Sequence, residues 1–327
     1  MTSNNFSRRS FIASAGVATG IAMAGCLGGD DDFPGGDMSI IVPYDSGSNT
    51  DADVRAMAPI IEDELDTNVA VENLSGAGGL RGLGELYSGD EGQVGFGYVP
   101  SNVVSFLNDD PGWEFGDFVG VGAYSTYAVA LIANPDYEIE DLDDLYSRYE
   151  TGELSNVGGL SLGHSWHVLA LLLRETEGWD WNSWVNYGGG PEIVAAVSSD
   201  EVPVALVSED NVLPEYNAGN VDYIACLGSS GTELTPDEVP TWVDDLGNEN
   251  YDYMSMVDST IFASPATTDD QQEILEDAFE AATLSDEFAE YSEDREQIVQ
   301  WKSGAELEES IQQVLNDLPD QVDLDNL

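Results

Sequence analysis

Two loops rich in glycine and serine follow strand-like runs and lead into helices. The first loop is Tyr44–Ser48 and the second is Ser75–Gly79. Such a loop directs several backbone N–H groups towards one point beside the positive end of a helix dipole, which suits a carboxylate or a phosphate. Two loops of this kind on adjacent strands could hold both ends of one small anion. Taken alone, each loop is also typical of an ordinary connection.

A third loop carries residues that could do hydrolytic chemistry. The segment Gly159–Gly163 reads G-L-S-L-G, which fits the G-x-S-x-G motif and puts Ser161 in the nucleophile position. That chemistry requires a histidine on a distant loop, whereas the chain's two histidines, His164 and His167, come soon after Ser161. A serine hydrolase is therefore a minor alternative. Because no cysteine or third histidine completes a site with these two, we predict no metal and no cofactor.

Charged residues near the first two loops have several possible roles. Asp51 is expected to cap the helix after the first loop by accepting backbone N–H bonds. Arg55 and Arg81 could clamp an anion, although roles at the surface or in stabilising a helix are favoured. Asp45 places a negative charge in the first loop. Either it points away from the ligand, or the ligand carries an amino or other donor group, or the ligand is uncharged.

Together the first two loops resemble the solute-binding receptors of tripartite tricarboxylate transporters, often called Bug-type receptors. In that family the first block reads roughly V-P-[FY]-x-x-G-G-x-x-D-x-x-x-R and the second reads V-x-N-x-x-G-A-G-G. Here the first block matches from Val42 to Arg55, with Ser48 replacing the second glycine, and the second block matches from Val71 to Gly79. Three later segments match as well: Asn156–His167, Tyr187–Pro191 and Val239–Thr241.

The resemblance covers residues 38–315 and implies an α/β, two-lobed clamshell of the periplasmic-binding-protein type (type II, Venus flytrap), with a cleft between the lobes. It implies a small carboxylate ligand, such as a di- or tricarboxylate, held mainly by backbone N–H groups and hydroxyls. His167, or Ser165 beside it, is expected to form a wall of the cleft, and a histidine satisfied at a helix start is an equal alternative. The predicted ligand-binding residues are Tyr44, Ser46, Gly47, Ser48, Asn49, Thr50, Asp51, Gly76, Ala77, Gly78, Gly79, Gly163, His164, Ser165, His167, Gly189, Gly190 and Ser208.

Strand-like and helix-like segments alternate along the chain, as is typical of an α/β fold. Gly120–Asn134 is long, apolar and rich in small residues, so we predict a strand that passes between domains. Cys226 lies in a short apolar run and is predicted to be a buried thiol in a strand. The first lobe is assigned to residues 38–125 and 256–327, and the second lobe to residues 126–255.

The composition is strongly acidic. The 327 residues include 64 acidic and 8 basic side chains, for a formal net charge of −56. Without clustered Lys and Arg, the chain has no footprint for nucleic acid and no patch for anionic lipid. Apolar residues still make up 42%, enough for a core. Dispersed acid with a single lysine resembles the composition of halophilic archaeal proteins, because salt screens self-repulsion.

The N-terminus has the pattern of an export signal. Arg8 and Arg9 precede a weakly apolar run that is too short to span a membrane. Residues 1–25 are therefore predicted to be a twin-arginine signal peptide. Small residues precede Cys26 as in a lipobox, so Cys26 is expected to be lipidated and residues 26–37 to form a flexible tether. Loss of the signal would change the net charge from −56 to −58.

These observations predict a lipid-anchored solute-binding protein on the extracellular face of the cell membrane, exported by the twin-arginine route. The protein would capture a small carboxylate and deliver it to the integral membrane subunits of a transporter, without catalysis. We expect a monomer. A sensory receptor that reports a solute to a membrane kinase is the alternative that keeps the fold, and the hydrolase using Ser161 is the alternative that does not.

Overall fold

The computed structural model describes residues 33–109, 111–293, 295 and 297–324. The predicted signal peptide and Cys26 lie outside the described residues. The end of the predicted tether contacts the folded chain, since the Phe33 ring lies directly over Gly92 and Asn68 donates a hydrogen bond of 2.7 Å to Asp37.

Short apolar runs, many rich in Val and Ile, form the strands of one mixed sheet. The strands are β1 (Met38–Val42), β2 (Val69–Asn73), β3 (Val94–Val99), β4 (Val119–Ala133), β5 (Asn156–Gly159), β6 (Ser183–Asn186), β7 (Val204–Ser208), β8 (Asp222–Cys226), β9 (Met256–Ala263) and β10 (Val299–Ser303).

Helices cover the sheet, and several begin at a side chain that accepts backbone N–H bonds. Thr268 and Ser303, for example, form capping boxes with the Gln or Glu three residues later. The helices are α1 (Asn49–Leu65), α2 (Leu80–Tyr87), α3 (Ser101–Asp109), α4 (Leu142–Glu150), α5 (Ser165–Glu177), α6 (Gly190–Ser198), α7 (Leu213–Asn217), α8 (Asp252–Ser255), α9 (Asp269–Thr283), α10 (Asp286–Glu293) and α11 (Gly304–Gln321).

The first half of the sheet has the order β2-β1-β3-β9-β4, and β10 also pairs with β4. Strand β1 is parallel to both β2 and β3. Since parallel strands end at the same edge of a sheet, the two Gly/Ser loops that follow β1 and β2 emerge side by side, next to the start of α3.

The second half of the sheet has the order β4-β7-β5-β6, and β8 also pairs with β4. Strand β5 is parallel to both β6 and β7. The loops after these three strands therefore share one edge, and they carry the remaining predicted site residues.

Strand β4 belongs to both halves. Its first part, from Val119 to Ala128, pairs with β9, and its last part, from Val129 to Ala133, pairs with β7. The two halves are two lobes of one compact unit that share this strand. This is the strand predicted over Gly120–Asn134 to pass between domains.

The core lies on both faces of the sheet. Met57 and Ile61 of α1 pack with Phe279 of α9 against the first half, and each is fully buried. Leu169 and Leu173 of α5 do the same in the second half. Cys226 is a buried free thiol in β8, as predicted. Among the described residues no helix has the length and apolar character needed to cross a membrane.

Candidate functional site

The loop after β1 is tied to the start of α1 by side chains. The Ser48 hydroxyl accepts the Asp51 N–H at 3.2 Å, and the Gly47 N–H donates to Asp51 Oδ2 at 2.8 Å. The N-cap residue is thus Ser48, so the prediction that Asp51 caps this helix is wrong; Asp51 lies in the first turn and closes the loop by accepting the Gly47 N–H. The first turn leaves the N–H groups of Asn49 and Thr50 without an acceptor inside the helix.

Asp51 is the centre of a network that joins the first two loops. Its Oδ1 accepts bonds from Arg55 Nη2 at 2.9 Å and from Asn73 Nδ2 at 3.0 Å. The hydrogen bond from Arg55 is the main cause that lowers the pKa of Asp51 to about 2. Asn73 Nδ2 also donates to the Tyr44 carbonyl at 3.1 Å. Arg55 is therefore engaged with Asp51, the stabilising role favoured from the sequence.

Asn102, near the start of α3, holds the second loop against the first. Its Nδ2 donates to the Gly78 carbonyl at 2.8 Å and to the Tyr44 hydroxyl at 3.0 Å, and its Oδ1 accepts the Tyr98 N–H at 2.6 Å. Asn102 is fully buried, so these bonds are made away from bulk water. Burial also raises the pKa of Tyr44 well above its usual value, which keeps the phenol neutral.

Asp45 and Ser46 lie on the outer side of the first loop, and both are exposed. Asp45 Oδ1 accepts a bond of 2.5 Å from the Ser75 hydroxyl, and Arg81 donates to the Ser75 carbonyl at 3.3 Å. Asp45 therefore bridges the two loops and is absent from the walls of the cavities described below.

The loop after β5 meets the first half of the sheet. Ser165 is fully buried, with its Oγ 2.8 Å from the Ser101 Oγ at the start of α3. Asn108, at the end of α3, donates to the Gly163 carbonyl at 3.3 Å. These contacts join the two lobes through α3 and place Gly163 and Ser165 at their junction.

The two histidines cap and brace the start of α5. His164 Nδ1 accepts the Trp166 N–H at 3.2 Å, and His167 Nδ1 accepts the Gly163 N–H at 3.1 Å. Burial lowers the pKa of each histidine to about 4, so both rings are neutral and can accept these bonds. His167 is 4% exposed and lies against Trp184 at 5.1 Å between ring centroids. These contacts favour the second predicted role of His167, a satisfied histidine at a helix start.

Ser161 does not form a nucleophile elbow with these histidines. It is exposed, and among the described residues no hydrogen bond joins its hydroxyl to His164 or His167. Each Nδ1 is already occupied by a backbone N–H. The arrangement is that of a turn before a helix.

The remaining predicted residues meet at the start of α6. A side chain on Gly190 would collide with Asn211, because an added Cβ would lie 2.5 Å from its Cγ. Asn211 Nδ2 in turn donates to the Ser208 hydroxyl, at the end of β7, at 2.8 Å. Gly189 precedes α6 in an extended conformation. Gly190 and Ser208 are thus brought together through Asn211, a residue absent from the sequence prediction.

A cavity of about 320 Å³ lies between the start of α1 and the loop after β7. Hydroxyl groups from β3, β4 and β9 line its floor, beside charged groups from α1, the β7 loop and the segment after α10. Its lining residues are Asn49, Asp53, Tyr98, Ser125, Tyr127, Asp210, Leu234, Ser259, Arg295, Gln297 and Ile298.

The charged groups of this cavity differ in how they are held. Asp53 is buried and accepts bonds from Tyr291 at 2.9 Å and from Tyr124 at 3.0 Å. Burial raises its pKa despite these donors. Arg295 is exposed, lies over the Tyr291 ring, and donates to Asn49 Oδ1 at 3.0 Å. The guanidinium therefore stands beside the first turn of α1, where the helix dipole is also positive.

A second cavity, of about 560 Å³, lies between the second loop and the loop after β5. Four predicted residues, Ala77, Gly78, Gly163 and His164, line it, whereas Asn49 is the one predicted residue among those lining the first cavity. The described lining of this second cavity contains an acid, Asp109, and no lysine or arginine.

The residues that line the 320 Å³ cavity were mostly missed from the sequence. Ser125 and Tyr127 lie within the crossing strand, and Arg295 lies in a segment without Gly/Ser character. The one sequence signal that could have pointed to Arg295 was the small number of basic residues, because each cation of so acidic a chain is a candidate for binding an anion. Among the described residues no group of three or more His, Cys, Asp or Glu side chains is arranged to hold a metal ion.

Known proteins share this sequence pattern and fold. The model of the tripartite tricarboxylate transporter family receptor matches residues 54–318. Protein BugT of Bordetella pertussis is 28% identical over 268 residues, which cover 79% of this chain and 77% of BugT.

Solved structures agree with the fold. A TctC solute-binding protein from Polaromonas superimposes with a TM-score of 0.77 at 18% identity, over 89% of this chain and all of the other. MatC from Rhodopseudomonas palustris, solved with bound malate, gives 0.69 at 20% identity over the same shares. The fold is therefore the two-lobed periplasmic-binding-protein fold predicted from the sequence, and the chain belongs to the receptor family of the tripartite tricarboxylate transporters.

Proposed function

We propose that this receptor captures a small carboxylate in the 320 Å³ cavity and delivers it to integral membrane transporter subunits. The observation that carries the proposal is the position of Arg295, which stands beside the first turn of α1 on the cavity wall. A guanidinium and unpaired backbone N–H groups at one helix terminus form a strong carboxylate site. Malate bound to the related MatC supports this ligand class.

The hydroxyl groups of the cavity suit the remaining polar atoms of such a ligand. Ser125 and Tyr127 line it, and no described residue is bonded to either hydroxyl. Burial raises the pKa of Tyr98 to about 12, so this phenol is neutral and bonds Thr50 at 2.8 Å. The larger second cavity lacks a cation among its described lining, which favours the first cavity for an anion.

Movement of the two lobes would open and close the cavity. The proposed first lobe is residues 38–125 and 256–327, and the second is residues 126–255. The change of partner on β4, between Ala128 and Val129, supports a hinge at this strand.

Isothermal titration calorimetry in about 2 M KCl, where charge repulsion is screened, tests the ligand and its place. We expect malate or succinate to bind, and Arg295→Gln to lower the affinity at least tenfold, since charge-assisted bonds contribute about 1.5–3 kcal/mol. The matched control is Arg174→Gln, which removes one cation that lies in the second lobe and does not line the cavity. This variant should leave the affinity unchanged. Absence of binding by every di- and tricarboxylate, including those that carry an amino group, would contradict the proposed ligand class. Unchanged affinity in Arg295→Gln would contradict the proposed place.

We further propose that the receptor is exported by the twin-arginine route and anchored by a lipid on Cys26. The pair Arg8 and Arg9 and the small residues before Cys26 support this. Replacing both arginines with lysine should stop export, and Cys26→Ala should release the exported protein from the membrane fraction. Cys226→Ala, at a buried thiol, is the matched control for Cys26 and should remain membrane-bound.

The same composition supports a protein adapted to high salt. The net charge of −56 rises in magnitude to −58 once Arg8 and Arg9 are removed. Concentrated salt would screen the repulsion that such a charge creates.

A further inference from the structure

We infer that the ligand is a carboxylate that also carries a protonated amino group, and that Asp210 receives this group. The inference rests on the proposed function, because it concerns the same cavity. It names the ligand class more narrowly, as amino carboxylates in place of plain di- or tricarboxylates.

Asp210 gives the cavity wall an acceptor for a cation. It follows β7 and lines the cavity across from the start of α1. Its Oδ1 accepts a bond of 3.0 Å from Asn211 Nδ2, and no described residue donates to its Oδ2. An ammonium group donates up to three hydrogen bonds and would pair with this oxygen.

Gln297 also lines the cavity, where it braces Asp53 and presents no acceptor to a ligand. Its Nε2 donates to Asp53 Oδ2 at 3.3 Å, which fixes the orientation of the amide, because the opposite orientation would place two acceptors together. Its Oε1 is buried and has no hydrogen-bond partner among the described residues. Because this oxygen is shielded from solvent, a ligand in the cavity does not reach it in this conformation, and Asp210 is the acceptor that the cavity wall offers.

The charges of the lining match a ligand with both signs. Arg295 and the first turn of α1 are the described groups that suit a carboxylate. Asp53 already accepts bonds from Tyr124, Tyr291 and Gln297, so its oxygens are committed within the protein. Asp210 is left as a carboxylate with a free oxygen.

A plain dicarboxylate would place its second negative charge near Asp210 without compensation. Like charges that are held together with little water repel strongly. An ammonium group would remove this repulsion and form an ion pair in its place. Asp45 raised the same question in the sequence analysis, because its negative charge would repel an anionic ligand. In the structure, however, Asp45 is bonded to Ser75 outside the cavity.

Matched ligand pairs test the inference by calorimetry on the full mature chain in about 2 M KCl. The pairs are succinate with L-aspartate and glutarate with L-glutamate, which differ in one amino group. We expect the amino member of a pair to bind at least tenfold more tightly. Asp210→Asn should reduce that ratio at least tenfold, and Arg295→Gln should weaken both members alike. Asp180→Asn, which removes an exposed acid remote from the cavity, should leave the ratio unchanged.

Each outcome bears on a separate claim. Equal or tighter binding of succinate and glutarate, with an unchanged ratio in Asp210→Asn, would overturn the amino-group inference and leave the carboxylate receptor intact. Failure of all four probes to bind would overturn the receptor proposal and the inference together. Because the readout is a ratio within one variant, a partial loss of folded protein does not imitate the expected result.

Discussion

At the residue scale, two glycines in the loops should respond differently to the same substitution. Gly47 and Gly79 both have positive φ, at 88° and 95°. An added Cβ on Gly47 meets nothing within 4 Å, whereas on Gly79 it would lie 2.6 Å from Asn102 Nδ2. We expect Gly47→Ala to cost about 1–2 kcal/mol through backbone strain, and Gly79→Ala about 3 kcal/mol because it also displaces the Asn102 bonds.

Urea unfolding of the two alanine variants in high salt measures this difference. The Gly79 variant should also lose affinity for malate, because Asn102 holds both loops in place. Equal losses of stability in the two variants would show that the Asn102 side chain can move away from the added methyl group without lowering the free energy of unfolding.

Asp51 makes a pH-dependent contribution to stability. Its pKa is about 2 in the folded chain and about 4 when unfolded. The contribution is therefore complete above pH 4, decreases as the pH falls, and is lost below pH 2. We expect Asp51→Asn to lower the free energy of unfolding at pH 7 by about 1–2 kcal/mol, since the Arg55 partner is 49% exposed. The difference between the wild type and the variant should vanish near pH 2, and a constant difference would contradict the role of the Arg55 bond.

Residues of the two loops could be predicted from the sequence because their spacing is local. Gly47, Ser48 and Asp51 act within one turn of α1, so their pattern is visible along the chain. Arg295 could not be found in this way. It reaches Asn49 across 246 positions, and its place depends on how α10 packs beside α1.

At the element scale, the crossing strand β4 is held by one buried acid. The Glu209 side chain is fully buried. Its Oε1 accepts the Ala128 N–H at 2.8 Å and the Thr232 hydroxyl at 2.6 Å. Its Oε2 accepts the Thr235 hydroxyl at 2.9 Å. Burial raises the pKa of Glu209. The side chain thus fixes β4 at the residue where its sheet partner changes.

Two substitutions at Glu209 separate hydrogen bonding from charge. Glu209→Ala removes the acceptor of four donors, the Ala128 N–H and the hydroxyls of Thr232, Thr235 and Tyr223, and should cost about 3 kcal/mol or more. Glu209→Gln keeps the Oε1 acceptor, and its amide can donate to Thr235, so we expect a cost below about 1 kcal/mol. Thermal unfolding at fixed salt measures both. A Gln variant as unstable as the Ala variant would show that the ionised group itself is required.

Elements with local signals were predicted, and those that depend on distant partners were not. The apolar run Met38–Val42 predicts β1 at its observed bounds, and the helical spacing of apolar residues over Asp51–Leu65 predicts α1 within two residues of its observed start. Strand β9 was missed because Asp258, Ser259 and Thr260 interrupt its apolar run. In the structure Lys302 donates to Asp258 at 2.6 Å, and Thr126 does the same. Both partners lie far away in sequence, so the strand has no local signature.

At the scale of the whole molecule, acidic side chains greatly outnumber their possible partners. Arg55, Arg148, Arg174 and Lys302 each form an ion pair with an acid. Those pairs use a small share of the 64 acids, so most carboxylates face others of the same sign. The Debye length falls from about 10 Å at 0.1 M salt to about 3 Å at 1 M, which removes most of this repulsion.

The melting temperature should therefore rise with salt. Between about 0.1 and 2 M KCl we expect an increase on the order of 10 °C, which corresponds to about 6 kcal/mol in a chain of this size. A variant with six exposed acids replaced by their amides should show an increase smaller by roughly a fifth, because self-repulsion grows with the square of net charge. The six positions are Asp63, Glu64, Glu85, Glu273, Asp277 and Glu290.

The control exchanges Asp and Glu at the same six positions, which keeps the charge and should retain the full salt response. If the amide variant and this control respond alike, salt acts through hydrophobic burial, since some salts strengthen apolar packing without regard to charge. If neither the melting temperature nor the affinity for malate falls in dilute buffer, the acidic surface is no adaptation to brine. A response that follows net charge would show that the acidic surface makes stability depend on concentrated salt, as the composition predicts.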